Sequence, residues 1–421
     1  MFNLTTYPHL VGLFNELGVE SERSDMSFAL STDDVEWGSL GLSAVFAQKK
    51  NLVSPSFLNM IREILKFGKR APEVLDPSKS AKYEAMTLGE YLAENGYSTF
   101  FIDNYVVPMC AAIWSCSDKD TMQFPVVTLI RFWVNHHLLN VIERPLWRVV
   151  KGRSKAYVDA VCAALPDVRT STPVVSVKRV LGGVEVTHRG GGDKPTVELF
   201  EDVVFACHSD QALAILGSNA SQSEKEALGA IKYQPNEVYL HGDKSLMPKN
   251  RDAWASWNCL KGSRGCDSGD KSVCVSYWVN LLQNLPEGTS DLFVTLNPPK
   301  VPSKETTQYH VTLAHPLFNK EAIAAQKTIE ELQGSGGVWF CGAWCGYGFH
   351  EDGIRSAVHV ADKMFGKSAV PWDPRPCDPH LNWTTKAALP LFRRVGGSWV
   401  PPGRCFRMIL PNGDELAMRG K

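Results

Sequence analysis

Thirty residues near the end of the chain, Gly337 to Gly366, read GVWFCGAWCGYGFHEDGIRSAVHVADKMFG. The apolar run Val338-Trp339-Phe340-Cys341 suits a strand, and glycines at 342, 346 and 348 break it. Ile354, Ala357, Val358 and Ala361 then recur at i, i+3, i+4 and i+7, one apolar stripe of a helix. Asp352 suits the helix start, and Gly366 suits its end. A strand that turns through glycines into a helix holds the chain to an α/β architecture. It also leaves unpaired N–H groups and a partial positive charge where a ligand can approach the backbone closely. Such a turn suits a phosphate or another electron-rich group. It also serves as plain connection, so the spacing alone leaves both readings open.

The other segments alternate between the two periods. A helix opens the chain at "TYPHLVGLFNELGV", where Leu10, Leu13, Phe14 and Leu17 share a face. "MSFALST" and "VEWGSLGL" read as strands joined at Asp33-Asp34, and residues 54–93 read as helical. "GRSKAYVDAVCAAL" reads as an amphipathic helix. Short strands follow in "TPVVSVKRVLGGVEVTHRG" and "TVELFEDVVFACH". Residues 228–315 again read as strands, among them "EVYLHG", "AWASW" and "YHVTLAH". A sheet built from 170–208 and 338–341 is expected, with the Gly353 helix packed on it. After Phe365, "AVPWDPRPCDPHLNW" reads as a linker, and "RCFRMILPNGDELAMRG" as a hairpin turning at Asn412-Gly413.

Composition narrows the function classes. The chain has 421 residues, 44% apolar and 21% charged, with net charge −1. That balance does not resemble a nucleic-acid footprint, which would need a basic face. The N-terminus lacks the pattern of a signal peptide, and no run is long enough for a transmembrane segment. Eleven cysteines without regular spacing favour reduced thiols and a cytoplasmic location. Cys341, Cys345 and His350 lack the spacing of a zinc site, since position 354 is Ile, so no metal is expected.

The stretch "WFCGAWCGYGFHEDGIRSA" resembles the closing flavin motif of the flavin-containing amine oxidase superfamily. The closer resemblance is to the subgroup described as predicted NAD/FAD-binding oxidoreductases. "LGLSAVFAQKKNLVSPSF", "AAIWSC", "RPLWRVVKG", "VVFACHSDQAL", "YQPNEVYLH", "WASWN" and "FVTLNP" resemble that subgroup in the same order, from about Phe2 to about Phe365. The resemblance implies an FAD-binding Rossmann-like domain of the amine-oxidase type, with an interleaved α+β substrate domain. The segments it implies are 1–145 for the substrate domain, 146–215 for the FAD domain, 216–332 for the substrate sheet and 333–366 for the closing FAD-binding part. Residues 367–421 would form a linker and the start of a further module, similar to the junction with a cyclopropane-fatty-acid synthase. That module is the partner implied, fused or associated.

Carried over by position, Gly342, Ala343 and Trp344 match the strand end near the FAD pyrophosphate and ribityl chain. Phe349, His350, Glu351, Asp352 and Gly353 match the turn beside the flavin ring. The N–H groups of Gly353 and Ile354 would face its pyrimidine edge. Val174 matches the valine on the adenine side. His350 is the candidate catalytic residue.

The departure is the opening unit. Family members begin with a strand, a GxGxxG turn and a helix that hold the diphosphate. This sequence contains no GxGxxG, and the Rossmann-like domain is expected to be N-terminally incomplete, with FAD binding weak or lost. "HRGGGDK" lacks the spacing, and "GSGG" at 334–337 precedes a strand. Lys151-Gly152-Arg153 stands where the family tends to have a Gly-Gly pair, so Arg153 would crowd that turn.

Function follows as an expectation. An FAD-dependent oxidoreductase would move a hydride from a small, apolar, lipid-like substrate to the flavin. Competing readings are a catalytically inactive flavoprotein remnant and a binding partner of a lipid-modifying enzyme. Tyr105, Trp114, Trp147, Tyr233, Trp254, Trp257, Tyr277 and Trp278 would line an apolar tunnel or fill a core. His208, His310, His315, Asn236, Asn258 and Asn297 are the polar candidates for that pocket.

Overall fold

A computed structural model describes residues 1–115, 117–140, 144–190, 194–262, 273–366, 369–374, 407–409 and 415–417. The chain divides into two compact units, Met1–Asp378 and Pro379–Lys421.

The largest element of the first unit is a seven-stranded sheet. Its spatial order is Thr307–Pro316, Tyr233–His241, Phe293–Leu296, Cys274–Trp278, Trp257–Leu260, Phe28–Ser31, Glu36–Gly38. Only Trp257–Leu260 and Phe28–Ser31 run parallel; the other neighbours are antiparallel. The register lines up side chains across one face. Tyr309, Leu240, Val294, Tyr277, Trp257 and Phe28 form one row of directly opposed residues. Side chains alternate faces along a strand, so the row two residues on, Val311, Val238, Leu296, Val275, Cys259 and Leu30, shares it. At the Phe28 and Leu30 end this face packs on the helices Pro55–Arg70, Val107–Trp114 and Val126–Asn135, through Phe57, Phe67, Ala111, Leu129 and Trp133. At the Tyr309 end the face is open, with Tyr309 62% exposed.

The closing strand and helix form where their pattern puts them, as Val338–Phe340 and His350–Phe365, and Gly366 ends the helix at φ +92. The expected sheet forms differently. Among the described residues, Val338–Phe340 pairs in parallel with Val203–Phe205, and Val338 also bridges Ser335. Val174–Val180, Gly183–His188 and Thr196–Phe200 make a separate antiparallel meander. Its tight Gly182-Gly183 turn brings neighbouring strands back on each other before they can join the parallel pair. Val177 and Val184 then pack the meander against Phe205, Val338 and Phe340 as a second core. The helix Arg153–Ala164, read as amphipathic, buries no residue fully.

A third small core gathers Phe2, Tyr7, Leu10, Phe14, Trp147 and Val150. Phe2–Asn3 and Ser21–Arg23 flank Trp147–Val150 in a three-stranded sheet. The linker begins later than its composition indicates. Trp372 donates to His9 Nδ1 at 3.3 Å, and its ring lies against Gly12, where a side chain would collide with it. In the second unit, Arg407–Ile409 and Glu415–Ala417 pair antiparallel as expected for the hairpin. The turn Asn412-Gly413 and most of the expected further module lie outside the described residues, as does part of "HRGGGDK".

Candidate functional site

The strand end and the helix start meet through Ser356. Its hydroxyl accepts the Gly342 N–H at 2.9 Å and lies 2.7 Å from the Gly353 carbonyl oxygen, to which it donates. Gly342 has φ +151, and a Cβ there would come 2.6 Å from the Trp344 ring nitrogen. Trp344 is itself a packing residue: it is buried, and its indole N–H donates to the Cys207 carbonyl at 3.0 Å. Ser356 escaped the sequence reading, although its position one turn after Gly353 offered a signal.

The helix begins two residues earlier than Asp352, at His350, with Phe349 before it. Asp352 still serves the helix start, accepting the Phe349 N–H at 3.0 Å, and it pairs with Arg355 at 2.6 Å. Glu351 reaches across to the first helix, Pro8–Glu16. Its two oxygens accept the N–H groups of His9 and Leu10 at 3.1 and 3.0 Å. One carboxylate thus sits at two helix N-termini, where negative charge is favoured. Burial pushes the Glu351 carboxyl up to about 7, against those two amide bonds. Burial also raises the Asp352 carboxyl, against Arg355 and the Phe349 amide. Both acids are therefore committed to protein partners. The Gly353 N–H donates to the Phe349 carbonyl at 3.1 Å inside the helix, so the first-turn amides at the ligand-facing end are those of His350 to Asp352.

His350 lines a cavity of about 60 Å³ with Met1, Phe2, Val150, Arg153, Ser154, Tyr157 and Gln283. Burial holds the imidazole below its ordinary value, so it is neutral near pH 7. Arg153 follows Gly152 (φ +80) at φ +71, a left-handed backbone that a side chain strains. Its guanidinium lies 3.6 Å from Glu22. The Gln283 side-chain oxygen is buried with no hydrogen-bond partner among the described residues. The helix start and Arg153 bring positive charge to this end, with Glu22 close to Arg153, and the Gln283 oxygen is left as an acceptor for a ligand donor.

Beside it Phe349 stacks on Phe132 with centroids 4.9 Å apart, and His136 lies 5.2 Å from Phe349. Trp114 packs on Phe132 at 4.7 Å and donates to the Tyr347 carbonyl at 3.3 Å. Burial pushes the His136 imidazole down to about 4, so it too is neutral. Phe132, His136 and Tyr347 were not singled out from the sequence; their helical and loop spacings look like ordinary core. Ile354 packs on the Phe2–Trp147 core.

The remaining candidates lie elsewhere. Val174 is at the outer end of the meander, 39% exposed, and pairs with His188. Trp254 and Trp278 enclose Arg251 and donate to the Pro248 carbonyl and to Asp291. Tyr105 and Trp147 are core residues. Tyr233 bonds Ser209 and stacks on His208. His310 meets Glu237, His315 meets Ser115, and Asn236, Asn258 and Asn297 bond within the sheet. Trp257 and Tyr277 pack edge to face at 4.8 Å on the partly open sheet face, and the Trp257 ring N–H is buried without a partner among the described residues. No helix among those residues is long and apolar enough to cross a membrane.

The fit to a flavin dinucleotide is partial. The electropositive helix start and the orphaned Gln283 oxygen suit the polar edge of the ring. A cavity of about 60 Å³ is far below the ~300–1,000 Å³ of ordinary ligand sites.

No family model and no curated protein matches the chain. Solved structures do. A CLA-producing fatty acid isomerase from P. acnes superposes with TM-score 0.56 at 12% identity, covering 85% of this chain and 84% of that one. Cyclohexylamine oxidase from Brevibacterium oxydans IH-35A gives 0.53 at 12% identity, with 85% and 86% covered. A putative protoporphyrinogen oxidase from Exiguobacterium sp. 255-15 gives 0.55 at 14% identity, with 86% and 85% covered. At these identities the likeness is one of fold, and the chain has the mixed α/β fold of the amine-oxidase type.

Proposed function

We infer that the protein is an FAD-dependent oxidoreductase of the amine-oxidase type acting on an apolar, lipid-like molecule. The observation that carries this reading is the electropositive pocket at the His350 helix start, set on that fold. A bound flavin would supply the hydride acceptor. The first-turn amides of His350 to Asp352 and the Arg153 guanidinium favour electron density gathering at the ring's polar edge. Gln283 can accept a ring N–H. Neutral His350 offers one ring N–H and one acceptor nitrogen at the pocket, and it gains a charge only on taking up a proton. Gly342 and Ala343 are assigned to the pyrophosphate side, Ser356 and Trp344 hold that turn in place, and Val174 is assigned to the adenine side. The Glu351 and Asp352 side chains, Gly353 and Ile354 support the turn, while the Glu351 and Asp352 backbone amides face the ring.

Three features support the substrate class. Along the two rows from Phe28 to Tyr309 and from Leu30 to Val311 the sheet face is apolar, and it is open at its outer end. Trp257 adds an unpartnered donor to that face, which suits a single polar head on a long apolar body. A fatty acid isomerase is among the proteins of this fold.

The small cavity and the lack of a GxGxxG favour a second reading. In it the protein binds FAD weakly and acts as an inactive remnant or as a partner of a lipid-modifying enzyme such as a fused or associated cyclopropane-fatty-acid synthase. Absorbance near 450 nm after incubation with excess FAD and gel filtration separates the two. Retained flavin that bleaches anaerobically with a long-chain substrate supports the enzyme, and His350→Ala should then keep the flavin while slowing bleaching. Protein free of flavin at every FAD concentration supports the second reading.

A further inference from the structure

The helix Pro55–Arg70 carries two faces of opposite kind. Phe57, Met60, Glu63 and Phe67 are buried against the core. Leu58, Arg62, Leu65 and Lys69 follow at i, i+4, i+7 and i+11, so they line one stripe on the opposite side, roughly 16 Å long. Both leucines are exposed, Leu65 at 57%. Just before the helix, Leu52 and Val53 are 53% and 80% exposed, separated from Lys49 and Lys50 by Asn51.

Charge on this segment is one-sided. Residues 40–70 hold six Lys or Arg and one acid, Glu63, in a chain of net charge −1. Glu63 faces inward, accepting the Ser98 N–H at 2.8 Å and its hydroxyl at 2.5 Å. Lys66 is held by the Asn95 carbonyl at 3.0 Å. Lys49, Lys50, Arg62, Lys69 and Arg70 form no ion pair among the described residues. Leucines scattered singly on a surface need no explanation. Exposed leucines beside cations without ion partners among the described residues give a surface that gains both from apolar burial and from anionic headgroups at a lipid interface.

We propose that this face docks the protein on an anionic phospholipid surface. The leucines and Val53 enter the headgroup–acyl boundary, while the cations meet lipid phosphates and carboxylates at its rim. A second copy of the chain is a poor occupant, because it would bring two unpaired sets of cations together. RNA would use the cations and leave the leucines in water. The proposal does not depend on the flavin reading, since its test measures binding alone.

The test is co-sedimentation of the full chain with vesicles of phosphatidylcholine containing about 30% phosphatidylserine, against phosphatidylcholine alone. The chain should bind the anionic vesicles, bind the neutral ones far less, and be released by high salt. Arg62→Gln with Lys69→Gln should weaken binding about tenfold or more. Leu58→Ser with Leu65→Ser should weaken it several-fold. All four side chains are exposed, so folding should be preserved, which circular dichroism checks. Lys155→Gln with Lys225→Gln, cations outside the patch, should change nothing. Equal binding to both vesicle types, failure to bind anionic vesicles, or binding that neither patch variant weakens would overturn the proposal. So would binding lost with the charges alone, matched by equally tight binding to RNA.

Discussion

Arg153 holds a left-handed backbone at φ +71 beside Gly152 at φ +80. An L-residue there is strained by about 1–2 kcal/mol. Arg153→Gly is therefore expected to stabilise the fold by about 1 kcal/mol in denaturant unfolding, after allowing for the larger chain entropy of glycine. It should also weaken whatever anion the pocket holds. Unchanged or lowered stability would mean that the Glu22 contact outweighs the strain. At the other wall, Glu351 links two helix starts, and its removal leaves two buried amides without acceptors. Glu351→Ala should cost about 2–4 kcal/mol. The pH dependence has a definite sign. The folded carboxyl is raised to about 7 from 4.5, so the folded state holds the proton more tightly. That contribution is fully present below the unfolded value and lost as pH rises through 7. Melting temperatures between pH 5 and 8 should fall for the wild type and change less for Glu351→Gln.

The closing strand–turn–helix was legible because its signals are local. Glycines at the break, an apolar run before it and a 3.6-residue stripe after it lie within thirty residues, 337–366. Strand pairing was not legible in the same way. Val174–Val180 and Val203–Phe205 look alike in sequence, yet one joins a meander and the other a parallel pair. That choice depends on residues far away in the chain. Phe132 and His136 reach the site for the same reason: a helix from the middle of the sequence brings them to Phe349. The contact of Trp372 with Gly12 spans still more of the chain. Gly12→Leu should displace Trp372, seen as a red shift and quenching of indole emission and easier proteolysis after Phe365; an unchanged spectrum would contradict that docking. On the closing helix, a Cβ at Gly353 has ordinary space, 3.7 Å from the Ala343 amide nitrogen. Gly353→Ala should be tolerated, while the branched Gly353→Val should push the helix off the Gly342–Ala343 turn.

On the scale of the molecule, the α/β class was legible in the alternation of periods, and the amine-oxidase type of fold in the ordered motifs from Phe2 to Phe365. The open, apolar half of the seven-stranded sheet was not, because its face is defined by register across strands far apart in sequence. We propose that the His350 turn faces a flavin ring, and this sequence has no GxGxxG to cradle the dinucleotide's phosphates. Without that cradle, the loss of about three charge-assisted hydrogen bonds at ~1.5–3 kcal/mol each would weaken binding by several orders of magnitude. Isothermal titration of FAD into the wild-type chain and Gly353→Val tests this most directly. The expected result is weak binding to the wild type, in the micromolar to millimolar range, that disappears in the variant. A submicromolar constant, or the same constant in both proteins, would contradict it.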